Sequence, residues 1–424
     1  MKKKYENFIN ILDEELVFAL GCTEPTALAL ASAKAIEVLG LKPETIMVKA
    51  SGNMIKNVQG VTIPHSGGRR GVETAIVLGM LVGNSDYGLK VLEHLTKEDL
   101  SKVDGIIESG ICKIERKKTD AKLYVEVEMR SGNNYSIVEL MHTHTNITRV
   151  VKNGVEITHN PCSATDFNSS LTSRSELSIK DIYEFIIRVD YKRLVPILEK
   201  QLVYNCKIAK EGLDNDWGLG VGRAITGCTT DIQISDQMRA GAAAGSDARM
   251  SGCDLPVVIN SGSGNQGMTI GIPINVYCEH YEIDDERKYK ALAMANLIPI
   301  HIKTSIGRLS AFCGAVTAAI GVGAAITYLK DGTLTEIENT IKNSVANLTG
   351  VICDGAKPSC ALKIASSLDA AFVATMVSMS GKVVEAGTGI VKECIEETIA
   401  NMAHIASDAM NETDEMIMNI MEKN

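Results

Sequence analysis

The order of apolar and polar positions divides the chain in two. From about residue 45 to 160, five short stretches alternate apolar and polar residues or are rich in β-branched types: TIMVKAS, CKIERK, KLYVEVEMR, YSIVELM and NITRVVKN. A period of two predicts strands. Gly132-Asn133-Asn134 between two of them predicts a hairpin turn, and a helix around Val72–Leu81 is expected to pack on the sheet. From about Ser178 the period becomes helical, through SIKDIYEFIIRV, YKRLVPILEKQLVYNCKIAKEG, DERKYKALAMANLIPIHIKT and GTLTEIENTIKNSVANL to a long final segment from about Val391. The first 40 residues read as two helices broken at Gly21, with Thr23 as a cap and Pro25 in the first turn of the second. Strands first and helices after define an α+β fold. Residues 1–175 form a mixed α/β part with a largely antiparallel sheet, and 176–424 a mostly helical C-terminal domain.

Composition narrows the partners. A formal net charge of −9 with mixed signs argues against nucleic acid. Aromatic residues make up 4% of the chain while glycine and alanine are plentiful, which predicts closely packed helices. The uncharged run LSAFCGAVTAAIGVGAAITY, residues 309–328, is long enough to span a bilayer. It is built from small residues rather than leucine or phenylalanine, so a buried helix is the expected outcome and no membrane is expected. Eleven cysteines behind the amphipathic opening MKKKYENFINILDEEL, which does not read as a signal peptide, fit reduced thiols in a cytoplasm.

Three of those cysteines stand in stretches of small residues: Cys313 in AFCGAV, and Cys353 and Cys360 in VICDGAKPSC. Three thiolates can hold a [4Fe-4S] cluster and leave one iron open to a substrate. The spacing, 39 residues and then six, is not a CxxC pair, and zinc binding or burial would also account for it. Cys22, in GCTEP, falls at a helix start, where the dipole is expected to lower a thiol pKa. It suits a nucleophile, a base or a ligand. Two segments offer polar groups for a small ligand. In SGNMIKNVQGVTIPHSGG, taken as a loop, Ser51, Asn53 and Asn57 supply hydrogen bonds and Lys56 supplies charge. In NSGSGNQG, Asn260, Ser261 and Asn265 sit in a backbone nest suited to a carboxylate. His65 could act as an acid or base. His142 and His144 alternate on an expected strand, which would place them on one face. Cys112, Cys162, Cys206, Cys228, Cys253, Cys278 and Cys394 read as buried or neutral.

Taken together, GCTEPTALALASAKA, SGNMIKNVQGVTIP, SGSGNQG, LSAFCGAVTAAIG and NLTGVICDGAKPSCALKIASS resemble the iron–sulfur L-cysteine desulfidases, relatives of the [4Fe-4S] L-serine dehydratase α-chain, in the right order along nearly the whole chain. The resemblance implies that Cys313, Cys353 and Cys360 are the cluster ligands in a catalytic helical domain and that Cys22 is the catalytic thiol. The six residues between Cys353 and Cys360 are fewer than serine dehydratases have there, which matches the desulfidase side. The implied reaction is β-elimination of L-cysteine to hydrogen sulfide, ammonia and pyruvate, without pyridoxal phosphate. Substrate contacts are expected from Ser51, Asn53, Asn260, Ser261 and Asn265, and the chain is expected to be a homodimer.

Three rivals stand beside this reading. A serine dehydratase would expel hydroxide from the same site. A pyridoxal-phosphate lyase would need a Schiff-base lysine, for which Lys357 in DGAKPS is the one suggestive position. A non-catalytic iron–sulfur sensor would give the two polar segments no reason to meet at the cysteines.

Overall fold

A computed structural model describes residues 2–168, 171–227 and 232–423; Cys228 lies outside the described residues. The amphipathic opening forms α1 (Lys2–Glu15), but the break at Gly21 holds a short strand, β1 (Phe18–Leu20), before α2 (Thr23–Leu39). Next come β2 (Thr45–Ala50), α3 (Gly52–Gln59), α4 (Val72–Val82), a 3-10 stretch over Ser85–His94, and α5 (Lys97–Glu108). Five strands follow: β3 (Cys112–Arg116), β4 (Tyr124–Ser131), β5 (Asn134–Met141), β6 (Ile147–Lys152) and β7 (Val155–His159).

Six strands form one sheet in the order β3-β2-β4-β5-β6-β7. The helices α3 to α5 carry the chain back across the sheet, so β3 runs parallel to β2 while every other pair is antiparallel. Strand β7 was not expected: VEITH is short, and its Val155 and Ile157 stand exposed on an edge. Helix α2, rich in alanine and leucine, lies against β4 and β5, and α4 packs mainly on α2 and touches the sheet chiefly at β3. The expected helix on the sheet is thus α2 more than α4.

The helical part consists of α6 (Ile179–Arg188), α7 (Val195–Asp214), α8 (Val221–Gly227), α9 (Ile234–Met250), strand β8 (Pro256–Val258), α10 (Gly264–His280), α11 (Asp285–Lys303), α12 (Gly314–Leu329), α13 (Leu334–Leu348), α14 (Cys360–Met379), α15 (Ile395–His404) and α16 (Met410–Met421). Helix α12 sits at the centre among α10, α11, α13 and α14, buried along nearly its whole length. Its 16 residues fall short of a bilayer span. Of the described helices, α14 is long and apolar enough for one by length and composition, and half of that stretch is buried. The final segment is two helices, α15 and α16, joined by a π-helical turn at Ile405–Ala409.

Two large apolar cores result. One lies under the sheet and takes Val48, Val125, Val127 and Val138 with the inner faces of α2 and α4. The other fills the helical part, and it includes Phe8, Ile11, Leu12 and Leu16 from the chain's start. Antiparallel pairing of β1 with β8 adds a second tie between the chain's start and the helical part, and α16 packs back on α3.

Candidate active site

Four helices begin at one cavity of about 90 Å³, bounded by both the sheet-side and the helical segments. Cys22 is the residue before α2, Ser263 the residue before α10 and Cys313 the residue before α12, while Cys360 is the first residue of α14. All four line the cavity, together with Cys353. A helix N-terminus presents unpaired N–H groups and a partial positive charge. Four of them facing one space favour an anion there.

Backbone pairing explains how distant cysteines meet. Phe312 and Ile352 form an antiparallel bridge. The N–H of Cys313 donates to the Val351 carbonyl at 3.0 Å, and that of Cys353 to the Ala311 carbonyl at 2.6 Å. The turn after Cys353 then brings Cys360 onto α14, where its N–H donates to the Lys357 carbonyl at 2.9 Å. The Cys353 carbonyl is in turn held by Lys56 Nζ at 3.0 Å, and Lys56 pairs with Asp414 at 2.6 Å. Lys56 is therefore a buried strut between α3, α16 and the cysteine turn, not a ligand-facing charge.

Burial pushes the Cys313 thiol up to about 12 and that of Cys360 to about 11, and the charge of the neighbouring Cys353 thiolate adds to both. Three thiolates in this space thus call for a compensating positive charge, which a metal centre supplies. Among the described residues, no group of three or more His, Cys, Asp or Glu is gathered closely enough to hold a single metal ion. Cys313, Cys353 and Cys360 all border the one cavity, the arrangement that ligands at separate corners of a cluster would need.

The cations of the cavity are Arg249, Lys303 and Arg308. Arg308 is paired with Glu15 at 2.9 Å. Arg249, at 2% exposure, donates to the Asn265 side-chain oxygen at 3.1 Å, while its Nε is buried without a partner. It fits only because residue 264 is glycine: a Cβ there would stand 2.4 Å from the Arg249 Nε. Burial lowers Lys303 to about 8, partly offset by the neighbouring sulfurs of Cys353 and Cys313.

On the opposite wall, the Cys22 thiol donates to Glu24 Oε2 at 2.9 Å. Burial raises its pKa well above the usual thiol value, and the Glu24 charge raises it further. The expectation of a low pKa from the helix start is thus corrected: the thiol is held protonated by a carboxylate next to it. Burial would push Glu24 up as well, yet the His144 ring that faces it and the hydrogen bond from Cys22 outweigh it and hold that carboxyl at about 2. Thr23 Oγ1 donates to Glu24 Oε2 at 3.2 Å and Asn57 Nδ2 to Oε1 at 3.1 Å.

Other sequence expectations divide. SGNMIKN is not a loop but the start of α3, so its side chains point in several directions. Asn57 reaches the cysteine cavity, whereas Ser51 and Asn53 line a different cavity of about 330 Å³. There Ser51 donates to the Lys122 carbonyl at 2.6 Å and Asn53 to Asp414 at 3.2 Å. NSGSGNQG closes a tight Asn260–Ser263 bridge and then becomes the first turn of α10. Asn265, Ser263 and Gln266 line the cavity, but Asn260 is fully buried against Asn296 at 2.9 Å and Ser261 donates to Asn260 at 2.9 Å. His142 and His144 do not share a strand face, because β5 ends at Met141 and His142 adopts φ +67°. His142 Nε2 lies 2.7 Å from the Ser163 carbonyl, while His144 turns to Glu24. His65 lies away from the cavity, where its backbone N–H donates to Asp254 Oδ1 at 3.0 Å. Lys357 is paired with Asp354 at the turn and does not line the cavity, which leaves the Schiff-base position without support. Glu24 stood inside the GCTEP block without being singled out. Arg249 and Lys303 lie in helices with no local motif.

The chain belongs to the serine dehydratase alpha chain family, whose model matches residues 86–419. It is 47% identical to a UPF0597 protein of Lachnoclostridium phytofermentans over 98% of this chain and 99% of that one. A UPF0597 protein of Fusobacterium nucleatum is 44% identical over the full length of both, and one of Finegoldia magna 43% identical over 98% and 99%. Membership in this family supports a lyase. The blocks around Cys22 and Asn57 lie before the matched segment, and the full-length relatives extend over them.

Proposed function

We propose that the protein is an L-cysteine desulfidase that depends on a [4Fe-4S] cluster and not on pyridoxal phosphate. The observation that carries this reading is the meeting of Cys22, Cys313 and Cys360, each at a helix start, with Cys353 around one cavity that also holds a buried arginine with no carboxylate partner among the described residues. Cys313, Cys353 and Cys360 would hold the cluster, which when bound supplies Lewis acidity at an iron without a protein ligand. The residues do the rest. Arg249, steadied by Asn265, takes the substrate carboxylate, since its guanidinium is buried and has no charged partner among the described residues. Ser263 and Gln266 stand beside it for the ammonium group. Cys22, on the opposite wall, accepts the α-proton. Exclusion of water from so small a space strengthens each of these contacts.

The family name favours a second reading in which L-serine is the substrate. Anaerobic purification, assay of iron and acid-labile sulfide, and measurement of pyruvate from L-cysteine and L-serine separate the two. The expected result is about four irons per chain with a higher kcat/KM for cysteine. Turnover of serine alone would replace the desulfidase reading, and a cluster without turnover of either would leave a sensor. In Cys22→Ser the iron content should remain while turnover falls roughly 100-fold or more.

A further inference from the structure

We propose that Glu24 and His144 form a proton relay that joins Cys22 to a second cavity beyond Gly262, so that protons enter and leave the buried site without passing the substrate. The inference rests on the reading of Cys22 as the group that meets the α-proton. The second cavity, about 560 Å³ and more open than the first, is lined by His144, Gly262 and Arg308 together with Glu14, Glu15 and Lys90. Arg308 borders both cavities. His144 is 4% exposed, and its Nε2 is buried with no hydrogen-bond partner among the described residues, 3.8 Å from Glu24 Oε1. The other edge of the ring lies on Gly262, where a Cβ would come within 2.9 Å of His144 Cε1 and 3.3 Å of Nδ1. Residue 262 is at φ +82°, and its carbonyl accepts from Thr23 Oγ1 at 2.8 Å. One wall thus carries thiol, carboxylate and imidazole in sequence.

The chemistry balances without an added reagent. Glu24 Oε2 takes the Cys22 thiol proton as the S–H bond breaks. The carboxyl turns about its terminal torsion and gives the proton to His144 Nε2. The products are a thiolate, the original carboxylate and an imidazolium. The thiolate then has a free electron pair for the substrate α-proton, and the imidazolium returns its extra proton to water in the second cavity. A protonated Cys22 beside Glu24 would otherwise be unable to act as a base, so the relay resolves the conflict between its position and its burial.

Two measurements test it. In the cluster-free protein, the infrared S–H stretch of Cys22, identified by subtracting the Cys22→Ser spectrum, should appear at neutral pH and move to higher frequency in Glu24→Gln. Absence of the band, or a band indifferent to Glu24, overturns the hydrogen-bond direction on which the relay depends. In the cluster-loaded enzyme, His144→Ala should lower kcat about 100-fold with KM changed less than about threefold, and added imidazole should restore at least a tenth of the loss. A kcat within threefold of the parent, or a loss that imidazole leaves untouched in a variant of unchanged iron content and melting temperature, overturns it. The infrared arm needs no turnover, so failure of the desulfidase reading and failure of the relay give different results.

Discussion

The two walls of the cysteine cavity are built on opposite principles. On the sheet side, Glu24 accepts from Cys22, Thr23 and Asn57 and faces His144, so its charge is held from several directions. On the helical side, three thiols and Arg249 face the cavity with few partners, and the Arg249 Nε has none. A wall rich in internal hydrogen bonds is already organised and suits proton transfer, where a donor and acceptor must hold their geometry. A wall of unsatisfied charge and thiol suits ligands that arrive later and complete it. The helical wall is expected to decide what binds, and the sheet-side wall what happens to it.

The strongest way to break this contrast is to remove a thiol from the helical wall. Cys353→Ser should lose most of its iron and all measurable turnover, while its thermal unfolding without the cluster stays near that of the parent. Retained iron would place the cluster elsewhere.

Next comes the strut behind that wall. Lys56→Met leaves Asp414 buried without its cation, held among the described residues by Asn53 alone, and breaking such a pair costs about 3–5 kcal/mol. Denaturant unfolding at neutral pH measures it, and a loss below about 1 kcal/mol would mean that the turn at Cys353 does not depend on α3 and α16.

The sheet-side wall is probed by acid. The Glu24 carboxyl titrates at about 2 in the folded chain, below the ordinary value of 4.5. A lowered folded value contributes stability that is complete above the unfolded value and is lost as the pH falls through the folded one. The window is therefore pH 4.5 down to about 2, and the contribution is on the order of 3 kcal/mol. Glu24→Gln should flatten the stability profile across that window; parallel profiles would show that the carboxylate is not held by the fold.

The smallest expected effect sharpens the assignment of Arg249. Arg249→Gln should raise the KM for L-cysteine about tenfold, in line with one lost polar contact, with iron content unchanged. An unaltered KM would move carboxylate binding to the α10 N-terminus.

The α+β division, five strands of the large sheet and the main helices follow from periodicity that the sequence displays openly, because one face of each element is buried. Helices α5, α8, α9, α10 and α14 were not read; of these, α9 and α10 are Gly-containing runs buried on nearly every side, which show no clear stripe. Strands β1 and β8 were missed as a pair because three residues carry no period. At the site, the four cavity cysteines were legible as residues in unusual small-residue settings. The substrate contacts were only half legible: once α3 takes the place of a loop, a helical rotation separates Ser51 and Asn53 from Asn57. His144 could be seen as a histidine but not as Glu24's neighbour, because the turn after β5 alone sets its direction.

The bridge between Phe312 and Ile352 also works as a ruler. All 39 residues between Cys313 and Cys353 form one hairpin of α12 and α13, whose ends that bridge clamps together. Lengthening one arm alone would drive its partner out of register, whereas a turn added to both would leave the clamp in place. Each such step adds roughly seven residues. Natural variation in this interval should therefore come in discrete strides, with the sulfur positions at its ends unmoved.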